Sequence, residues 1–398
     1  MPLSNDYLQI ARRARALLLS YLILQNQSEL EHDTTLELKH LMFKLSKDLF
    51  PWINDPIYKL HQRFLNSTEG GIVLTTGHQH FNHALLGIKS LRKILKCTLP
   101  IEVHYAGPND LDDTMVQKLS KLQGVTTVNL LDHFPQEAVY LKGWSIKPFS
   151  ILASRFRRVI FMDADVLFFQ DPARVLLLDS EIFREYGQLF YHDRSLNRGD
   201  GEFSTWFQSI NPHISKYAKD LRWANRLSWH EQEAGLVVMD KGWIGVLFSL
   251  LLACKLNSHE MWAETYSHMW GDKETFWLSM ELLRVPFKFS PGYSGAVGYK
   301  VDEVVCGSNF HTDEKLKPFW WNGGVLQNRR KNGEVFMKFE YAAFDSERDT
   351  LKWKEETAES PFCLQPMFPE VEVRKLSESE KGIGLAYIQM YKEIARRG

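Results

Sequence analysis

The rhythm of apolar and polar positions changes near residue 70. Before it, Leu8, Ala11, Leu18 and Leu22 recur at helical spacing, and the pattern predicts helices over residues 5–66, broken around Ser28, Asp33 and Pro51-Trp52. After it come short apolar runs separated by amphipathic stretches. Strands are predicted over 71–76, 101–106 and 125–130, with helices over 81–95 and 112–122 between them. A fourth strand over 157–162 ends on Asp163, and an apolar strand follows it down to Asp171-Pro172. Further on, 189–192 and 235–239 read as strands, and 243–256, 273–283 and 383–396 as helices. The glycine-rich, aromatic stretch 298–333 predicts loops and short strands. Strands alternating with helices imply right-handed crossovers and an α/β fold with a mostly parallel, Rossmann-type sheet. A sheet of that kind binds its ligand outside the carboxyl ends of its strands.

Composition changes this picture little. Hydrophobic residues make up 44% and charged residues 24%, and a formal net charge of −1 excludes a general attraction to nucleic acid or an anionic membrane. The apolar run 16–24 follows Arg12, Arg13 and Arg15, but nine residues fall short of the ~20 that span a bilayer. It has the polarity of a signal peptide without a clear cleavage site, and an amphipathic helix accounts for it better. The four cysteines are far apart with no CxxC pair, which speaks against a thiolate zinc site and leaves disulfides and buried thiols both open. Seven of the twelve tryptophans fall between Trp206 and Trp277, as a large core or as surfaces for sugar faces. No GxGxxG follows the first strand and no GxxxxGK[ST] occurs, so dinucleotide and P-loop chemistry are excluded.

The chemistry concentrates at two strand ends. Asp163 and Asp165 lie two residues apart, on the same side of the chain. Such a pair holds one hard divalent cation and leaves coordination sites for a diphosphate, whose departure the cation assists by neutralising charge. Thr75, Thr76 and Gly77 end the first strand. Three further carboxylates stand near strand ends or helix starts. Asp193 follows 189–192, Glu233 precedes Ala234-Gly235, and Asp272 opens the helix at 273. Asp272 serves equally well as an N-cap, with Glu274 in the first turn. None of them stands out as a covalent nucleophile. A sugar nucleotidyltransferase would carry a glycine-rich loop with a basic residue after its first strand. Here Thr75–His80 is followed by no Lys or Arg before Lys89. A glycoside hydrolase would need two flanking carboxylates and no metal. A non-catalytic glycan-binding protein would have no use for the aspartate pair.

The string FMDADVLFFQDP resembles the metal-binding DxD segment of GT-A-fold glycosyltransferases. Over residues 70–328 the chain resembles the fungal Golgi α-mannosyltransferase family, through GIVLTTG, GWSIKPFSIL, LFYHDR, EQEAGLVVMDK, GDKETFWL and PFWWNGG. The resemblance implies a GT-A-like fold, Mn2+, GDP-mannose as donor and a mannose-containing glycan on glycoproteins as acceptor. It also implies an α-1,3 (or α-1,2) linkage formed with retention, in the Golgi or secretory lumen. Membrane attachment would come only through an anchor not visible in this sequence. It implies a stem-like helical region over 1–68 and a catalytic domain over 69–398, with a donor half to about 240 and an acceptor half from about 241. Asp163 and Asp165 would hold the metal, Thr75, Thr76 and Gly77 would line the nucleotide pocket, and Lys147 would face the diphosphate. For Lys147 the alternative is a solvated surface lysine. Asp193, Glu233 and Asp272 would be the catalytic carboxylates, one of them supporting positive charge near the anomeric carbon. Ser308–His311 and Lys317–Trp320 resemble the His and Lys-Pro-x-Trp elements of glycogenin-like transferases, at looser spacing. There His311 would complete the metal site, a ligand type that suits manganese, and Lys317 would meet the diphosphate. Where related transferases often carry serine before the glycine, this chain has Ala234.

Overall fold

The computed structural model describes residues 6–26, 32–194, 202–328, 332–345, 352–355, 362–365 and 372–396. Three helices come first: α1 (Tyr7–Asn26), α2 (His32–Leu49) and α3 (Ile57–Leu65). An alternating region follows: β1 (Gly70–Thr75), α4 (Phe81–Lys93), β2 (Ile101–Tyr105), α5 (Asp113–Ser120), β3 (Val125–Asn129), α6 (Ile146–Ala153), β4 (Arg158–Asp163) and β5 (Val166–Phe168). Next are α7 (Glu181–Tyr186), β6 (Gln188–His192), α8 (Glu202–Ile210), β7 (Gln232–Asp240), α9 (Ile244–Leu256), α10 (Trp262–His268) and α11 (Thr275–Leu283). The remainder is β8 (Gly295–Val301), β9 (Val304–Thr312), β10 (Pro318–Asn322), β11 (Leu326–Asn328), β12 (Asn332–Phe336), β13 (Tyr341–Phe344), β14 (Lys352–Glu355), β15 (Phe362–Gln365), β16 (Glu372–Lys375) and α12 (Glu378–Ala395).

The main sheet has the order β3-β2-β1-β4-β7-β6. Neighbours pair in parallel from β3 to β4, and only β7 runs the other way. The sheet is thus mostly parallel, as expected of a GT-A-like α/β fold. Its strand order reverses between β1 and β4, the place where a crevice opens at the carboxyl ends. Thr75 and Asp163 face each other in register there. Successive side chains alternate between two cores. Val73, Phe161 and Val237 pack with α9 and α11, while Ile72, Leu74, Ile160 and Met162 pack with α4 and α12. Helix α9 is apolar on every side and buried along nearly its whole length.

The N-terminal helices share the first core. Tyr7, Ile10, Ala11, Ala14, Leu17, Leu18 and Tyr21 form the buried face of α1. That face is rotated from the expected one, since Leu8 and Leu22 are only partly buried. The Tyr7 hydroxyl lies 3.0 Å from Thr265 Oγ1, and His61 bridges the Tyr21 hydroxyl (2.8 Å) and the Gly242 carbonyl (2.9 Å). Among the described residues, no helix is long and apolar enough to cross a membrane. Trp223 and Trp277 are fully buried, edge to face at 5.6 Å, so this part of the tryptophan cluster is core.

A second sheet, β14-β15-β9-β8-β13-β16, is antiparallel, and β10 joins β9 to β5. The described residues of 298–333 are therefore largely strand, joined by short turns. Its glycines serve close strand approach: a Cβ on Gly298 would lie 2.0 Å from the Cys306 carbonyl oxygen, and one on Gly307 1.9 Å from that of Val297. Cys306 and Cys363, opposed on β9 and β15, form a disulfide, while Cys97 and Cys254 are buried thiols.

Candidate functional site

A cleft of about 1150 Å³ opens at the carboxyl ends of β1 and β4. Thr75, Thr76 and Gly77 form one edge and Asp163, Ala164 and Asp165 the next. Gly77 is required by close approach, because a Cβ there would lie 2.3 Å from Asp110 Oδ1. Asp110 closes this loop by accepting the backbone N–H of His78 on its carbonyl (2.9 Å) and that of Ala106 on its carboxylate (3.0 Å). On the far side, the Asp165 carbonyl accepts the backbone N–H groups of Gly324 (2.8 Å) and Gly323 (3.2 Å), which ties the end of β10 to the aspartate turn.

Lys147 is buried, not a solvated surface lysine. In the first turn of α6, its Nζ lies 2.8 Å from Asp163 Oδ1, 3.7 Å from Asp272 Oδ1 and 3.3 Å from the Ala234 carbonyl oxygen. Burial pulls the ammonium pKa down, but Asp163 and Asp272 together carry it above the ordinary lysine range. Asp163 shifts upward, because burial outweighs the attraction of Lys147 and Asp165 adds repulsion. Asp272 is pushed up to about 7 by burial, with Lys147 opposing and Asp163 adding.

Asp272 does not cap α11. That helix starts at Thr275, whose N–H and hydroxyl both bond the Asp272 carbonyl (2.9 and 2.6 Å). The Asp272 carboxylate turns toward Lys147 instead, and its buried Oδ2 has no hydrogen-bond partner. Glu274 accepts the backbone N–H groups of Glu231 (3.0 Å) and Gln232 (3.1 Å) and the Trp277 indole N–H (2.6 Å), fixing the start of β7.

Glu233 lines the cleft. Its Oε1 accepts from Gly235 N (2.7 Å) and Asn322 Nδ2 (3.2 Å), its Oε2 from Asn309 Nδ2 (2.6 Å). Asp193 sits behind it, paired at 2.5 Å with Lys273 and bonded to its neighbour Arg194's N–H (2.8 Å). Burial alone would raise the Asp193 pKa, yet Lys273 and His230 hold it well below the usual carboxylate range.

Two expected residues are not brought to this cleft. His311 faces the core, its ring stacked on Trp320 at 4.1 Å, and neither nitrogen has a hydrogen-bond partner. Lys317 is exposed in the β9–β10 turn. Cleft-lining Asn322 is the fifth residue after it, at the far end of β10, roughly 17 Å along the strand. The cleft is reached by Gly307, Ser308 and Asn309 on β9 and by Asn322 on β10, while His311 lies further along β9 and Lys317 in the turn beyond it, away from the cleft. Residues given no role from the sequence include Asp110, Trp144, Asn309 and Asn322. The last three lie inside segments singled out for other residues, and Asn309 and Asn322 meet Glu233 only through the fold.

A divalent cation fits the aspartate pair in part. Among the described residues no three His, Cys, Asp or Glu side chains cluster closely enough to hold a metal alone. Asp163 and Asp165 would supply two ligands, and diphosphate oxygens and water would supply the rest, as hard cations accept.

Residues 69–314, more than half the chain, match the family model described as "Mannosyltransferase putative". The chain is 27% identical over 338 residues to "Putative alpha-1,3-mannosyltransferase MNN14" of Candida albicans, covering 71% of this chain and 48% of that protein. It is 24% identical over 412 residues to "Probable alpha-1,3-mannosyltransferase MNT4" of Saccharomyces cerevisiae, covering 91% and 67%. The chain spans about half the length of the first of these relatives. Among solved structures, core-mannan synthase A from Aspergillus fumigatus in its Mn/GDP form matches at 12% identity and a TM-score of 0.35, over 59% of this chain and 76% of that one. A likeness that distant carries no inference. The match over residues 69–314 does: the chain belongs to this mannosyltransferase family.

Proposed function

We propose that the chain is a metal-dependent mannosyltransferase that moves mannose from GDP-mannose to a mannose-containing glycan on glycoproteins. The linkage formed is α-1,3 (or α-1,2), with retention. The observation that carries this reading is the Asp163–Asp165 turn at the β1/β4 crevice, with Lys147 buried between Asp163 and Asp272. Thr75, Thr76 and Gly77 line the nucleotide end. Asp163 and Asp165 would hold a divalent cation, manganese, which would supply positive charge to a departing diphosphate. Lys147 supplies a fixed positive charge beside it. Asp272 Oδ2, buried and without a partner, accepts a hydroxyl of the donor sugar.

Glu233 is held by two side-chain amides and Asp193 by Lys273, so neither is free to swing as a nucleophile. That supports front-side displacement over a covalent intermediate. Glu233, which lines the cleft, supplies the fixed carboxylate near the anomeric carbon, with the Asp193–Lys273 pair behind it. The Cys306–Cys363 disulfide supports an oxidising compartment, the secretory lumen, with the Golgi implied by the family. A donor panel assayed with manganese tests the reading. GDP-mannose should be the best donor, and UDP-sugars outperforming it would refute the proposal.

A further inference from the structure

Trp144 is an exposed indole at the mouth of the cleft. Among the described residues three tryptophans are strongly exposed, Trp144 (57%), Trp243 (44%) and Trp270 (57%), and of these Trp144 alone lines the cleft. Its placement is fixed. It sits in the turn Gly143–Ser145 just before α6, three residues from Lys147. The buried Ser145 hydroxyl pins that turn, its one hydrogen shared between the Lys142 carbonyl (2.8 Å) and that of Tyr140. The indole lies against Gly271, where a Cβ would come within 2.7 Å of Trp144 Cε3 and where φ is +70°. Gly271 therefore keeps its place by both close approach and left-handed backbone. The next residue is Asp272, with its buried, partnerless Oδ2. Tyr140, stacked on Trp262 at 4.0 Å, continues the same aromatic wall.

We infer that Trp144 is the stacking platform for the acceptor: the apolar C–H face of an acceptor mannose lies on its indole. This rests on the proposed function. The donor's diphosphate belongs at the aspartate pair and its sugar on the Lys147 and Asp272 side, whereas the indole is 57% exposed, so the sugar that meets it is the one arriving from solvent. An indole complements the C–H face of a pyranose and tolerates either neighbour along a glycan, while the buried polar groups inside select the donor.

The test uses α-mannobiose as probe, with GDP and manganese present, and compares wild type, Trp144→Ala and Trp144→Phe by saturation-transfer NMR and titration. Wild type should saturate the mannobiose ring protons. Trp144→Ala should lose about tenfold in mannobiose affinity with GDP affinity near wild type, and Trp144→Phe should recover most of the loss. Since the side chain is exposed, folding should survive, and melting temperatures check this. Should Trp144→Ala fail to fold, the comparison of Trp144→Phe with a polar Trp144→Gln decides in the same way. Unchanged mannobiose affinity, no mannobiose binding by wild type, or an equal loss of GDP affinity would each overturn the inference. Failure of the proposed function shows separately, as no mannose transfer from GDP-mannose by the wild-type protein.

Discussion

The Nζ of Lys147 lies 2.8 Å from Oδ1 of Asp163, a contact that joins the first turn of α6 to the end of β4. The lysine is 8% exposed and the aspartate 22%, so the pair is shielded but reachable by an incoming cation. Replacing the ammonium by an apolar group leaves Asp163 facing Asp165 and Asp272 without compensation. Lys147→Met should therefore lower stability by about 2 kcal/mol, the scale of a lost charge-assisted hydrogen bond. A divalent cation should restore much of it, since it supplies the missing positive charge. Urea denaturation with and without manganese checks both parts, and no metal-dependent recovery would contradict the assignment.

Chelation with EDTA should abolish transfer, and added manganese should restore it. Asp165→Asn should raise the manganese requirement strongly while leaving the fold intact, because the Asp165 backbone carbonyl, not its side chain, anchors Gly323 and Gly324. Full activity in EDTA would remove the metal from the mechanism.

Asp272→Asn separates a sugar-binding role from a structural one. The carboxylate caps no helix, so the melting temperature should stay near that of wild type. Turnover should fall at least about tenfold, or ~1.4 kcal/mol of transition-state stabilisation. Unchanged turnover in the folded variant would show that Asp272 only balances Lys147.

The parts of this site that sequence reveals are those whose signal is local. The run Val159-Ile160-Phe161-Met162 marks a strand buried on both faces, which is how a central parallel strand reads. The aspartates at its end follow directly. Glu233 was legible as a carboxylate on a strand, but its setting was not. Asn309 and Asn322, which hold it, lie 76 and 89 residues away. The second sheet was hidden for a related reason. Gly298 and Gly307 look like turn residues, and only the carbonyls of the opposing strand explain why a side chain is excluded there. His311 was placed by likeness to a motif whose spacing differs here. On β9 the cleft-lining positions are Gly307, Ser308 and Asn309, so the histidine falls past the cleft.

His311 provides the last test, because its two possible roles predict opposite results. Burial pushes its pKa down to about 3, Asp193 opposing and His192 and Arg194 adding to the fall. Its folded pKa thus lies below its unfolded value of 6.5, so the unfolded chain binds the extra proton first. The stability tied to the neutral ring is complete above pH 6.5 and is lost as pH falls from there toward 3. By pH 5 that loss amounts to about 2 kcal/mol. Phenylalanine keeps the stacking on Trp320 and takes up no proton. It also removes two buried nitrogens that have no hydrogen-bond partner, so it need not cost stability at neutral pH. His311→Phe should therefore match wild type at pH 7 and exceed it by about 2 kcal/mol at pH 5. Other titrating groups, such as the buried His230, are common to both proteins and cancel in the difference. Manganese affinity should be unchanged, since the ring does not reach the aspartate pair. If instead the variant loses manganese affinity and shows no gain at low pH, His311 is a metal ligand and the cleft closes differently when loaded.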